Sequence, residues 1–130
     1  MIDLDFAHKT FLKATNADNV WIVNKKKKTV TFLKYAWYKK KPEYVKTVKC
    51  NEEDQFNEKI GIALSIERFN AWNKGKNEKA RYKYMRSLFI TNGELDYEKY
   101  ADWVIMDCLY YYQDIDVAEV ISLLNIKYVD

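Results

Sequence analysis

The chain has 130 residues, of which 48% are hydrophobic and 16% aromatic, with only three glycines and one proline. A chain of this length and composition can bury a core, which excludes a disordered protein and indicates one domain. Because glycine and proline are scarce, we expect helices and long strands rather than a many-stranded β-sandwich. No apolar run approaches the roughly 18 residues of a membrane-spanning helix, so we expect a soluble protein without a membrane partner.

Charge is distributed unevenly along the sequence, although the net charge is only +3. Residues 25–49 contain ten lysines and one glutamate, whereas residues 94–130 contain nine acidic residues and two lysines. The sequence is therefore basic in one segment and acidic in another. Packing decides whether these segments also separate in space.

Cys50 and Cys108 are the only cysteines, and neither lies at a metal-ligand spacing from another cysteine or a histidine. We expect both to be buried thiols, and a single disulfide between them stays an alternative. The first 13 residues show no apolar leader, so we expect a reducing, cytoplasmic compartment.

The predicted elements begin with a short helix over residues 4–15, where apolar residues recur at helical spacing after the N-cap Asp3. Residues 20–23 and 29–38 are rich in β-branched and aromatic side chains and flank a polar segment. This pattern predicts a β-hairpin. The residues at its tip are Lys25, Lys26, Lys27 and Lys28.

A third strand and a helix follow the hairpin. Pro42 lacks an amide donor and ends the second strand, and residues 43–50 supply the third. The acidic turn after it places Asp54 as the cap of a helix, because carboxylates are favoured at a helix N-terminus. Gly61 lies within this helix, and we expect close packing of the helix against the sheet there. The predicted buried stripe of this helix is Ile60, Ala63, Leu64, Phe69 and Trp72.

The second half of the sequence predicts helices. The predicted segments are a loop over 73–77, a helix over 78–89, a break at 91–93, a long helix over 97–112, a short helix over 117–124 and a tail over 126–130. Asp116 is the expected cap of the short helix. In the helix over 78–89, the side chains expected to point inward are Tyr82, Met85, Leu88 and Phe89.

These elements predict an α+β protein in which a small three-stranded antiparallel sheet packs against several helices. Within one domain, the sheet-containing half covers about residues 1–73, and the helical half covers about residues 78–130. The sequence leaves the oligomeric state open.

Catalytic chemistry finds little support in the sequence. His8 is the only histidine, no nucleophile motif lies near it, and the three glycines stand apart rather than in a phosphate-binding loop. A two-metal nuclease would need converging acids, for which the sequence offers Glu52, Glu53 and Asp54, and then Asp107, Asp114 and Asp116. Helix capping explains the first set and a solvated helix face the second. We expect a protein that is not an enzyme and holds no cofactor or metal.

Two surfaces are candidates for partner binding. The first consists of lysines at the two ends of one strand, Lys25, Lys26, Lys27 and Lys28 and then Lys39, Lys40 and Lys41, interleaved with the aromatic residues Trp21, Phe32, Tyr35, Trp37 and Tyr38. Cations beside exposed rings suit single-stranded nucleic acid, since phosphates are neutralised and bases stack. The alternative is a solvated hairpin whose lysines prevent association between sheet edges, and alternation buries about half of the rings.

The second candidate surface is an acidic row. Glu94, Glu98 and Asp102 lie four residues apart, which places them on one side of the predicted long helix. Such a row can imitate the phosphates of a nucleic acid and compete for a channel on another protein. The alternative is the solvated side of an amphipathic helix.

Part of the sequence resembles a family of small phage and prophage proteins of Gram-positive bacteria. The family core has a strand, a KTVVKC-like strand, an acidic turn with phenylalanine and a helix of the form EKGLAMAI. The matching segments are TVTF at 29–32, KTVKC at 46–50, EDQF at 53–56 and EKIGIALSI at 58–66. They cover roughly a third of the chain; Ile60 is inserted before Gly61, and the segment from 33 to 44 is longer and more basic than in the family.

The resemblance implies a phage origin and a strand-strand-helix core, and it implies no catalytic residue. Small phage proteins without active-site motifs often act by binding host machinery, and anti-CRISPR proteins are a prominent class of such inhibitors. We therefore expect a non-enzymatic binding protein that inhibits a host defence complex, such as a CRISPR nuclease or its RNA complex. The alternative is a nucleic-acid-binding accessory factor of phage replication or transcription. The candidate contact residues are Lys25, Lys26, Lys27, Lys28, Trp37, Lys39, Lys40, Lys41, Glu94, Glu98 and Asp102.

Overall fold

A computed structural model of the chain describes residues 19–36, 40–50, 55–108, 116–122 and 124–129. In chain order the elements are β1 (Asn19–Asn24), β2 (Thr29–Lys34), β3 (Tyr44–Lys49), α1 (Glu58–Lys74), α2 (Lys76–Leu88), β4 (Ile90–Thr91), β5 (Glu94–Leu95), α3 (Tyr97–Cys108), α4 (Val117–Ser122) and β6 (Ile126–Val129). The helix predicted over residues 4–15 lies outside the described residues. No helix in the described ranges is long and apolar enough to cross a membrane.

The main sheet has four strands in the order β3-β2-β1-β6. β1 pairs with β2 and β2 with β3 in antiparallel fashion, as predicted, but β6 joins the other side of β1 in parallel. The prediction of three strands is therefore wrong in the strand count, because the sheet has a fourth strand, which makes it mixed and not wholly antiparallel. The α+β class holds, and the segment predicted as a tail after residue 125 is a sheet strand.

The β1–β2 hairpin follows the predicted pattern with a shorter second strand. β2 ends at Lys34 instead of continuing to residue 38. At the turn, the Lys27 amide donates to Asn24 Oδ1 at 2.9 Å, and Lys28 adopts the left-handed φ of 56°. These local contacts reverse the chain within four residues.

Helix α1 begins later than predicted, because Asn57 and not Asp54 is its N-cap. The Asn57 side chain accepts a hydrogen bond from the Ile60 amide at 3.2 Å, which satisfies one of the free donors of the first turn. The predicted close packing at Gly61 is confirmed. A Cβ on Gly61 would lie 2.5 Å from Val30 Cγ2 in β2, so only glycine allows the helix this near to the sheet.

The predicted loop over 73–77 is in fact a single residue. α1 continues through Lys74, Gly75 adopts a φ of 77°, and α2 begins at the next residue. The Gly75 amide donates to the Ala71 carbonyl at 2.9 Å. Because glycine reaches positive φ without steric cost, one residue is enough to change the helix direction.

A small hairpin separates α2 from α3. Asn92 and Gly93 have φ values of 53° and 79°, the conformations that a tight two-residue hairpin turn requires, and they connect β4 to β5. The predicted break at 91–93 is thus a turn. The predicted cap at Asp116 is confirmed, because its Oδ1 accepts from the Glu119 amide at 2.8 Å. Residues 109–115, predicted as the end of the long helix, lie outside the described residues.

The core lies on both faces of the main sheet. On the helix side, the buried members include Trp21, Val30, Phe32, Ile62, Ile66, Tyr82, Tyr100, Val104 and Ile105. Trp21 satisfies its indole by donating from Nε1 to Ser65 Oγ at 3.1 Å. On the other face, a second buried cluster consists of Val20, Ile22, Leu33 and Tyr35. Burial of both faces fixes the register of the central strands, since a one-residue slip would exchange the two faces.

A charged network ties the three longer helices together. Tyr100 of α3 donates its hydroxyl to Glu67 Oε2 of α1 at 2.7 Å, and Arg86 of α2 pairs with the other Glu67 oxygen. The Arg86 guanidinium also lies 5.6 Å from the centre of the Tyr100 ring. Burial, followed by the hydrogen bond to Glu67, holds the pKa of Tyr100 well above its ordinary value. One carboxylate therefore links α1, α2 and α3.

The predicted burial is wrong for two residues of the helical stripes. Trp72 at the end of α1 is 59% exposed, and Leu88 at the end of α2 is 58% exposed. Both occupy the last turn of their helix, where helical spacing continues but covering elements do not. The other predicted stripe residues are buried or half-buried.

Candidate partner-binding surface

The predicted lysines of the hairpin tip lie at one end of the sheet. Lys25, Lys26 and Lys27 are exposed, and Lys28 is half-buried. Lys49 of β3 pairs with Thr29 at the same end. This end of the molecule therefore presents a concentration of positive charge.

Tyr128 of β6 borders the lysine end. Lys25 Nζ lies 5.4 Å from the centre of the Tyr128 ring, and the Tyr128 hydroxyl donates to Glu58 Oε1 at 2.6 Å. That hydrogen bond, together with burial, raises the pKa of Tyr128 to about 12. The contact connects the first turn of α1 to the edge strand and places one carboxylate beside the lysines.

The second predicted lysine group lies at the opposite end of β2. Lys40 and Lys41 are exposed, and the Glu43 amide donates to the Lys34 carbonyl at 2.9 Å, which holds their segment against the end of β2. Six residues of strand separate the two ends by about 17 Å. Lys39 and Trp37 lie outside the described residues.

The rings that alternate with these lysines are not available for stacking. Trp21, Phe32 and Tyr35 are 5%, 2% and 1% exposed, respectively, because both faces of the sheet are covered. A nucleic acid therefore cannot stack its bases on these three rings. The expected platform of sheet aromatics is absent from the described strands.

The predicted acidic row is also different in the structure. Glu94 lies in β5, outside the helix, while Glu98 and Asp102 lie on α3. Lys59 of α1 contacts both, with its Nζ 2.5 Å from Glu98 Oε2 and 2.7 Å from Asp102 Oδ1. Asn57 donates a further hydrogen bond to Glu98. Two of the three carboxylates are thus engaged within the protein, so they present less negative charge than a phosphate backbone.

The same contacts change the ionisation of Lys59. Burial alone lowers its pKa, but the hydrogen bonds that Lys59 donates to Asp102 and Glu98, together with the negative charges of these two groups, outweigh burial and raise the pKa above its ordinary value. Lys59 and Asp102 also line a groove of about 460 Å³ with Met106, Asp116 and Val117. The ion pair neutralises Asp102 in this groove, whereas the Asp116 carboxylate, which accepts from the Glu119 amide, has no cation partner among the described residues.

An exposed aromatic surface, which the sequence did not single out, lies at the opposite end from the hairpin tip. We call Lys34, Tyr44, Arg68, Phe69 and Trp72 the aromatic patch. The Trp72 ring centre lies 4.8 Å from that of Tyr44 and 5.9 Å from that of Phe69, and Tyr44 and Phe69 are 5.0 Å apart. Phe69 in turn stacks on the buried Phe32 at 5.2 Å. The exposed indole therefore rests on rings that are anchored in the core.

Cations border the aromatic patch. Lys34 Nζ lies 5.6 Å from the centre of the Phe69 ring, and Arg68 is exposed on α1. Burial raises the pKa of the Tyr44 hydroxyl, and the charge of Arg68 opposes this shift. A tryptophan, a tyrosine and an arginine held together on a rigid base are the residue types that carry most binding energy in protein interfaces.

Cys50 is half-buried, and not buried as predicted, with its thiol 3.8 Å from the Gln55 carbonyl oxygen. Cys50 lines a groove of about 410 Å³ with Val48, Phe56, Ile60 and Tyr97. No group of three or more histidine, cysteine or acidic side chains able to hold a metal occurs within the described ranges. His8, Glu52, Glu53, Asp54 and Asp114 lie outside those ranges, as does the side chain of Cys108.

The chain was compared with protein-family models, with curated proteins and with solved structures, and no significant match was found in any of the three.

Proposed function

We propose that this protein is a non-enzymatic, phage-encoded binding protein that inhibits a host defence complex, such as a CRISPR nuclease, and that the aromatic patch contacts the partner. The observation that carries the proposal is the exposure of Trp72, at 59%, on a base of Tyr44 and Phe69. Contact between the exposed indole surface and water is unfavourable, and in the isolated protein nothing removes that contact. A partner that buries the indole removes this unfavourable contact with water. The cations at the border of the patch favour an acidic rim on the partner.

The choice of a defence complex rests on the resemblance of residues 29–66 to the phage family. The aromatic patch adds a physical basis for binding, because Phe69 stacks on the buried Phe32 and in turn contacts Tyr44 and Trp72, which restrains the exposed rings. Preorganised aromatic anchors lose little conformational entropy on binding. The protein then acts stoichiometrically by occupying a surface that the defence complex needs.

The test measures inhibition and binding. The purified protein is mixed with candidate CRISPR nucleases loaded with guide RNA, and target cleavage and complex formation are measured. We expect Trp72→Ala to weaken binding by about 30-fold, the equivalent of about 2 kcal/mol for an interface anchor. The matched control is Tyr84→Ala, which removes a large aromatic side chain of similar exposure, 63%, on α2, outside the aromatic patch.

Two results would contradict the proposal. The first is the absence of binding to any defence complex tested. The second is equal inhibition by the Trp72 and Tyr84 variants, which would place the contact elsewhere. Thermal unfolding of both variants shows whether a loss of binding has a folding cause.

The second candidate function is that of a nucleic-acid-binding accessory factor, favoured by the exposed Lys25, Lys26 and Lys27 beside Lys49. It predicts binding of a labelled single strand that weakens steeply with salt. Replacing the four lysines of the tip with glutamate should abolish this binding. Replacing Lys76, Lys79 and Lys83 of α2 with glutamate is the control, and a flat fluorescence-polarisation signal at low salt would exclude the function.

A further inference from the structure

The outer strand β3 has a backbone edge that carries hydrogen-bonding groups without partners in the described chain. β3 is the last strand of the sheet order and pairs only with β2 among the described strands. The Cys50 amide donates to the Lys28 carbonyl at 2.9 Å, and hydrogen-bonded pairs then recur at every second residue of an antiparallel ladder. The N–H and C=O groups of Val45, Thr47 and Lys49 therefore point away from the sheet.

These outward groups are accessible. No backbone hydrogen bond reaches Val45, Thr47 or Lys49 from elsewhere in the ranges that the structure describes. Val45 is 37% exposed, and Lys46, Thr47 and Lys49 are exposed as well. A strand edge in this state is a template for a further strand.

Charge decides which kind of strand fits. The segment from residue 40 to residue 50 contains Lys40, Lys41, Lys46 and Lys49 against the single acid Glu43, a net charge of +3. Two copies of this segment would repel each other, since like charges on neighbouring strands destabilise pairing. An acidic strand would gain opposite-charge pairs with Lys46 on one face and Lys49 on the other.

The side of the edge that faces α1 offers a place for an apolar side chain. Val48 of β3 lines the groove of about 410 Å³ described above, together with Phe56, Ile60, Leu64 and Tyr97. Lys46 precedes Val48 by two residues and so projects from the same face. An added strand would therefore place an apolar residue in the groove and an acidic residue two positions away.

We propose that β3 binds an extended acidic segment of a partner protein as a fifth strand of the main sheet, with an apolar side chain of that segment in the groove beside Val48. This surface differs from the aromatic patch except for Tyr44, and the inference stands whether or not the partner is a defence complex. The backbone edge supplies the hydrogen bonds, the lysines select acidic sequences, and the groove sets the register.

The experiment uses a fluorescein-labelled peptide of about ten residues, the upper end of the usual range of strand lengths, with one central valine among glutamate and threonine residues. Glutamate lies two positions before and after the valine, to face Lys46, and at neighbouring positions of the opposite face, to face Lys49. We expect saturable binding by fluorescence anisotropy, with slower amide hydrogen exchange at Thr47 and Lys49 in the complex. A peptide with lysine in place of glutamate should not bind. The same glutamate peptide with two central prolines should not bind either.

A matched pair of variants tests the backbone edge. Val45→Pro removes an outward N–H and leaves the bonds to β2 in place, because proline is tolerated on an edge strand when its nitrogen faces solvent. Val45→Ala keeps the N–H. We expect about tenfold weaker peptide binding for the proline variant and less than twofold for the alanine variant.

Charge variants complete the test. Lys46→Glu combined with Lys49→Glu should abolish binding of the glutamate peptide, whereas Lys79→Glu on α2 should not affect it. Equal binding by the two Val45 variants, or no binding of the glutamate peptide to the unmodified protein, would overturn the proposal. Association of the protein with itself that the Val45→Pro change abolishes would identify a second copy as the occupant and would overturn it as well.

Discussion

The contact between Gly61 and Val30 makes a quantitative prediction about Gly61→Ala. Alanine is favoured over glycine in a helix by about 1 kcal/mol, so the change would stabilise an isolated helix. In the folded protein the new Cβ would lie 2.5 Å from Val30 Cγ2, whereas ordinary contacts begin at 3.4 Å, so α1 would have to retreat by about 0.9 Å. Rotation of Val30 does not remove the clash, because its own Cβ lies 3.2 Å away.

Overpacking of a closed core costs about 1–3 kcal/mol, which exceeds the gain in helix propensity. After subtraction of the propensity gain, we expect Gly61→Ala to lower the free energy of unfolding by up to about 2 kcal/mol. The assay is urea denaturation followed by the fluorescence of the protein's tryptophans. Trp21, which is buried, reports on the packing of the sheet against α1.

A double-mutant cycle isolates the clash. In a Val30→Ala background the obstructing methyl groups are absent and only the 3.2 Å approach of the Cβ atom remains, so Gly61→Ala should destabilise the protein by at least about 1 kcal/mol less than it does with Val30 in place. Val30→Ala alone will destabilise the protein because Val30 is fully buried. A stabilised Gly61→Ala single variant with an unchanged denaturant slope would refute the reasoning, since it would mean that helix and sheet separate at no cost.

Two further predictions concern hydroxyl and carboxylate pairs. Glu67→Gln should lower the free energy of unfolding by about 1–3 kcal/mol, because it weakens the charge-assisted hydrogen bonds with Arg86 and Tyr100 in a half-buried site. Urea denaturation measures this loss, and an unchanged unfolding midpoint would contradict the prediction. Tyr128 should titrate near its pKa of about 12, and Glu58→Gln should bring that pKa closer to 10, as absorbance at high pH will show. Because this pKa is raised by folding, the contribution of the pair is present below pH 10 and is lost as the pH rises towards 12. Equal tyrosine titration curves for both proteins would contradict the assignment.

Local sequence signals predicted several features correctly. The β1–β2 hairpin follows from β-branched runs around a polar turn, and the Asp116 cap follows from a carboxylate just before an apolar helix. Gly61 was predicted to mark close packing because a glycine in a helix is otherwise unfavourable. In each case a few neighbouring residues contain the information.

The features that the sequence did not predict depend on distant contacts. β6 is only four residues long, and it becomes a strand by pairing with β1. In this pairing Ile126 lies opposite Trp21, which precedes it by more than 100 positions in the sequence. No local pattern in that segment indicates a parallel pairing. The polar residues around Gly75 led to the prediction of a loop. Sequence alone does not show that one residue at positive φ is enough to connect α1 to α2.

The aromatic patch was missed for a related reason. Trp72 continues the helical spacing of the buried stripe, so periodicity assigned it to the core. The indole lies on the last turns of α1, where Tyr44 and Phe69 contact it and still leave most of its surface exposed. Periodicity identifies the face of a helix but not the point along the helix at which the covering elements end.

The parallel pairing of β1 with β6 has a consequence for biosynthesis. While the ribosome is still adding the helices, β1 can pair with β2 on one side, but its other side has to wait for β6. During that interval the nascent chain exposes a strand edge rich in valine and isoleucine. Closing such a long loop is also entropically costly, so the docking of β6 should be a late step in maturation, and the unfinished intermediate is the species that chaperones would recognise.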